Sequence, residues 1–282
     1  MTLVRRHLVG ALVVVLAIAA GIALGGGPLQ RDAVRPTGAT TAPDADEDAG
    51  PSADDVAAAA AGTLHGARLE GRSVAVLTMP GVPDETVAAL VAGIESAEGS
   101  VSGTWRLTDN LTDASEKALV ETMGDQLVEQ LADNAADPEA PGYERMGQLI
   151  GSALATRRTS AIAPGDDALT IRQSLAAAGL VRGDGDARQA PLVLLALGDD
   201  LDDFVVGGIV DGLASRASGV VVAAPSRDGD LTVLDDLRSV STADGLDGEV
   251  GRLAAVLALA TVEEAPGGSF GASGADGLLP LR

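Results

Sequence analysis

Three short runs of apolar, largely β-branched residues constrain this chain more than any other feature. They are SVAVLTM (residues 73–79), PLVLLAL (191–197) and GVVVAA (219–224). None shows the polar alternation of a half-exposed strand, so each reads as a strand buried on both faces. Between them lie stretches with helical apolar spacing. Residues 84–98 place Val87, Leu90, Val91 and Ile94 on one face, and residues 114–132 do the same with Leu119, Val120, Met123, Leu127, Val128 and Leu131. Helices are also expected over 143–156, 166–178, 202–217 and 247–262, with Phe204, Val205, Ile209, Val210 and Leu213 facing inward in the third. Strands expected over 101–107, 159–163 and 240–242 complete the alternation, while 231–237 fits helix and strand equally. Such alternation predicts an α/β domain, a mostly parallel-sheet, Rossmann-like three-layer fold.

The two ends read differently. Arg5 and Arg6 precede 22 uncharged residues, 8–29, whose core over 8–24 is LVGALVVVLAIAAGIAL. A spanning helix needs about 20 apolar residues, whereas a signal-peptide core has about 7–15. This favours a single N-terminal transmembrane helix over a signal cleaved near residues 19–27. The leading arginines imply a cytoplasmic N-terminus and an extracytoplasmic body. Residues 31–70 read as an acidic, Pro- and Ala-rich disordered linker, with a possible short helix over 52–66 capped by Ser52 or Asp54. The body is then expected over 71–264, and residues 265–282 as an irregular Gly-rich tail.

Composition removes several functions. The 282 residues carry a formal net charge of −22 and four aromatic side chains, so phosphate neutralisation and base stacking are both lacking and no nucleic-acid partner is expected. There is no cysteine, and His7 and His65 are the only histidines. A thiolate site, a disulfide framework and a His-based triad are therefore excluded or unsupported. No G-x-G-x-x-G follows a strand, and neither a phosphate-binding P-loop nor a nucleophile elbow occurs. No cofactor and no enzymatic activity are expected. The Gly-rich stretch 267–277 follows a helix, the wrong context for a phosphate cradle.

The metal candidates are Asp199, Asp200, Asp202 and Asp203, after the PLVLLAL strand, where open α/β sheets bind ligands. Their oxygens suit Mg²⁺ or Ca²⁺. The competing reading makes Asp200 or Asp202 the cap of the next helix and leaves the rest to complement its dipole. For copper, Met79 ends a strand while Met123 and Met146 lie on amphipathic helices, positions that read as core. His65 reads as an exposed loop residue.

The N-terminal MTLVRRH with its apolar span, the strand VAVLTMPG, the segment VSGTWRLTDNLTD, and VSTADGLDGEVGRLAAVLALA with a GADGLLP tail resemble the actinobacterial MctB family, which includes SteB-like envelope proteins. The resemblance covers residues 1–30 and 71–282. It implies a role in copper homeostasis or efflux across the envelope, through membrane association and a protein partner. The SteB-like members imply the alternative of a regulator of cell-wall hydrolysis at division. Members of the family typically carry a coiled coil after the membrane helix, and here a Pro/Asp-rich linker takes its place. A third possibility is a small-molecule or cation-binding domain built at the strand ends around residues 198–203.

Overall fold

The computed structural model describes residues 52–131, 135–199, 201–226 and 240–281. Seven strands form one sheet: β1 (Ser73–Thr78), β2 (Ser100–Leu107), β3 (Val181–Gly183), β4 (Leu192–Ala196), β5 (Gly219–Ala223), β6 (Ser241–Ala243) and β7 (Ser269–Phe270). Their order is β3-β2-β1-β4-β5-β6-β7, and every pair is parallel except β2 with β3. The helices are α1 (Ala53–His65), α2 (Asp84–Ser96), the single turn α3 (Asp109–Thr112), α4 (Lys117–Gln130), α5 (Gly142–Leu154), α6 (Asp166–Ala177), α7 (Asp203–Ala214) and α8 (Glu249–Thr261).

Alternation along each strand explains the three layers. Val74, Val76, Leu192, Leu194, Val221 and Ala223 pack with α2 and α8 on one face. Ala75, Leu77, Val193, Leu195, Val220 and Val222 pack with α4 to α7 on the other. The mixed α/β fold with a mostly parallel sheet is as expected. No described helix is long and apolar enough to cross a membrane, and the apolar segment 8–24 lies outside the described residues. So do 231–237 and residues 31–51 of the acidic segment.

Glycine determines how α5 and α7 meet. A methyl group at Gly212 would lie 2.5 Å from the Gly147 carbonyl carbon, and closer still to Glu144 O and Gln148 N. One at Gly208 would lie 2.8 Å from the Tyr143 Cβ, and one at Gly151 2.7 Å from the Arg216 Cβ. Gly147 and Gly151 on α5, and Gly208 and Gly212 on α7, are each spaced one turn apart, so two backbones come into direct contact.

Several expectations are corrected. The helix read as part of the linker belongs to the folded body: Ala57 of α1 is buried against Leu253 and Leu257 of α8. The N-cap of α8 is Gly248, which has no side chain, and the Asp54 carboxylate accepts the Val250 N–H at 3.2 Å instead. One helix thus caps the free N–H groups of another. His65 is buried rather than exposed, at 5% accessibility. The Gly-rich tail, expected to be irregular, contributes β7, which pairs in parallel with β6. Residues 159–163 make only a single bridge, Ile162 to Gln189. Phe204, expected to face inward, is 63% exposed, and Leu119, on the apolar face of its helix, is 37% exposed.

Candidate functional site at the carboxyl edge of the sheet

In doubly wound sheets the ligand crevice opens where the strand order reverses, here between β1 and β4. The turns after these strands fill that position. Gly81 adopts φ +88°, and a methyl at Gly198 would lie 2.9 Å from the Pro80 carbonyl carbon and 3.1 Å from the Gly81 Cα. Backbone meets backbone where other folds of this type admit a ligand.

The aspartate cluster beside this contact is divided by the fold. Asp202 is the N-cap of α7, its Oδ1 accepting the N–H groups of Phe204 at 2.9 Å and Val205 at 3.2 Å. Asp203 occupies the first helical turn, where its charge complements the helix dipole. Asp199 is exposed on the preceding turn, and Asp200 lies outside the described residues. Among the described residues no group of three or more His, Asp or Glu side chains is placed to hold a metal ion.

Next to the capped end of α7 stands an aromatic corner. Phe204 meets Tyr143 of α5 edge to face, with ring centroids 6.0 Å apart and planes at 86°. The Lys117 ammonium lies 5.7 Å from the Phe204 centroid and 3.7 Å from Glu121. The Tyr143 hydroxyl is buried without a hydrogen-bond partner. Burial raises its pKa, and Asp202, Glu121 and Asp113 raise it further by charge repulsion. Periodicity assigned Phe204 to the core. The signal against this lay in its position, two residues after a capping aspartate; the adjacent Val205 and Val206 are buried.

The Gly-rich loop holds an internal carboxylate. Asp244, 4% exposed at the end of β6, accepts the Ser273 N–H at 2.9 Å and its hydroxyl, and a methyl at Gly271 would lie 2.8 Å from the Asp244 Cγ. Asp276 accepts the Ser269 N–H at 2.9 Å. The chain's own acids occupy the amides that a bound anion would use, which is the physical reason the loop is ordered.

At the opposite edge, by β3, a cavity of about 170 Å³ is lined by Trp105, Leu154, Leu169 and Val181, with Arg172, Asp184 and Asp186. Arg172 is 7% exposed, makes four hydrogen bonds to the carbonyls of Ala153, Gly185 and Ala187, and stacks 5.7 Å from the Trp105 ring. Burial lowers its pKa, opposed by Asp184 and Asp186. Its donors serve mainly to pin the 184–187 loop to the end of α5.

The soft and borderline metal donors are separated by the sheet. His65 lies beside Gly93 on the α2/α8 face, whereas Met79 and Met146 are buried in the aliphatic core of the other face, with Met123 at its margin. A family model described as copper transport outer membrane protein, MctB, matches residues 1–280. The chain belongs to the MctB family. Comparison with curated proteins finds no match. MctB is a copper transport family and not a known enzyme family. In this MctB-family protein the described donors are spread over two cores. Cu(I) takes thiolate and thioether sulfur in convergent sets. No such set forms among the described residues, and neither Met nor His lines the cavity.

Proposed function

We propose that this protein serves copper homeostasis at the cell envelope as a membrane-tethered, non-catalytic body that works through protein partners rather than by holding the metal in its own fold. The observation that carries this reading is the family match over residues 1–280. The separation of Met79 and Met146 from His65 by the sheet supports the second half of it. Residues 8–24 provide the tether, with the N-terminus cytoplasmic and the α/β body outside, because the run is long enough to span and Arg5 and Arg6 precede it.

A deletion strain tests the role. Sensitivity to copper, and not to other divalent metals, is expected, with rescue by the full-length chain. A septation or lysis defect without copper sensitivity would replace this reading with that of a regulator of cell-wall hydrolysis. Titrating the body with Cu(I) against a chelator tests the second half. Weak or absent binding is expected, and a stoichiometric sub-micromolar site lost on replacing Met79, Met123 or Met146 would overturn it. Protease added to intact spheroplasts should digest the body and leave a small membrane-bound fragment. A mature chain beginning between residues 20 and 27 would show cleavage instead.

A further inference from the structure

We propose that the aromatic corner at the start of α7 is a docking point for an arginine side chain of a protein partner. The inference deepens the reading of a protein that acts through partners by naming the surface and the chemistry it selects.

Phe204 is 63% exposed, yet it is held rather than loose. Its backbone N–H is bound by the Asp202 cap, and its ring meets Tyr143 in a T-shaped pair. The face so presented already attracts a cation, since Lys117 stands 5.7 Å from its centroid. Two carboxylates are placed beside Phe204: Asp202 accepts its N–H, and Glu121 stands 3.7 Å from the Lys117 ammonium. With Asp113 they also act on the Tyr143 hydroxyl, which is buried and unpartnered. The acids here outnumber the one ammonium on the ring.

Asp202 is not fully used: it accepts both of its bonds through Oδ1, and among the described residues no hydrogen bond reaches its Oδ2. Asp113 is engaged by both the N–H and the hydroxyl of Ser115. A small metal ion would need these oxygens gathered about one point, and they are not so gathered. A guanidinium needs an aromatic ring to stack on and carboxylates nearby, which Phe204 with Asp202 and Glu121 supplies. An anionic lipid surface or a nucleic acid would be repelled by the same acids.

The chain contains only two phenylalanines, Phe204 and Phe270, so labelling with 4-fluorophenylalanine gives two ¹⁹F resonances, assigned by Phe204→Leu. The full chain in detergent is titrated with a short arginine-containing peptide and with its citrulline counterpart, which keeps the shape and loses the charge. The Phe204 resonance should shift saturably with the arginine peptide, at least about tenfold more weakly with citrulline, while Phe270 stays still. Lys117→Ala removes the cation already on the ring and should tighten peptide binding about two- to fivefold, the worth of one exposed cation–ring contact. Asp202→Asn should weaken it. Equal response to both peptides, a shift of Phe270 alongside Phe204, or weaker binding by Lys117→Ala would overturn the proposal. Photo-crosslinkers placed in cells at 204 and, as a second face, at Leu278 separate the two readings. A partner captured only at 278 sinks this site and spares the partner reading, and no capture at either face counts against both.

Discussion

Replacing Gly212 by Ala measures how closely α5 and α7 must approach. The new methyl would lie 2.5 Å from the Gly147 carbonyl carbon and nearer still to Glu144 O and Gln148 N, all of them backbone atoms. No side-chain rotation relieves such a contact, so the helices must part and surrender packing along their shared length. Overpacking of this kind costs about 1–3 kcal/mol. The substitution also gains about 1 kcal/mol of intrinsic helix propensity, which offsets part of the cost. A control isolates that gain: Gly62 lies within α1 and has nothing within 4 Å of a Cβ. Gly62→Ala should therefore be neutral or stabilising by up to about 1 kcal/mol, the opposite sign. Three backbone atoms within 2.5 Å place the overpacking at the upper end of that range, so the net loss at Gly212 is about 2 kcal/mol, a fall in Tm of roughly 4–8 °C for a body of this size. Trp105, the single tryptophan and 3% exposed, reports urea unfolding directly in a chain starting at Ser52. A Gly212→Ala midpoint equal to or above that of the parent would refute the argument that backbone contact holds these helices.

Three further outcomes are expected. Asp54→Ala removes the cap that α1 supplies to α8, so it should cost about 1 kcal/mol and speed amide exchange at the start of both helices. His65 has both ring nitrogens buried without partners, and burial lowers its pKa. The unfolded chain therefore takes up a proton that the native state refuses. Stability from this residue is present above the unfolded pKa near 6.5 and is lost as pH falls below it. Urea midpoints between pH 7.5 and pH 5 should show this loss, and His65→Leu should reduce it; an unchanged slope would count against the assignment. Arg172→Lys should destabilise by about 2–4 kcal/mol, because an ammonium cannot span the carbonyls of Ala153, Gly185 and Ala187 while stacking on Trp105.

The periodicity of apolar residues was enough to place the buried strands around Val76, Leu194 and Val221 and the helices that cover them, because burial on both faces of a parallel sheet leaves a local mark in the chain. It also made Asp202 a candidate cap, since a carboxylate before an apolar run answers the free N–H groups of the next helix. The absence of cysteine and the scarcity of histidine already argued against a soft-metal centre. The remaining features depend on partners distant in the chain. Ala57 carries little hydrophobic signal, and only the surface of α8 makes α1 part of the body. His65 is buried by helices that follow it, and Asp244 orders a Gly-rich loop that composition alone describes as irregular. Phe204 has the spacing of a core residue but is exposed while Val205 and Val206 beside it are buried, because period specifies a face of a helix and not which part of that face the neighbouring elements cover.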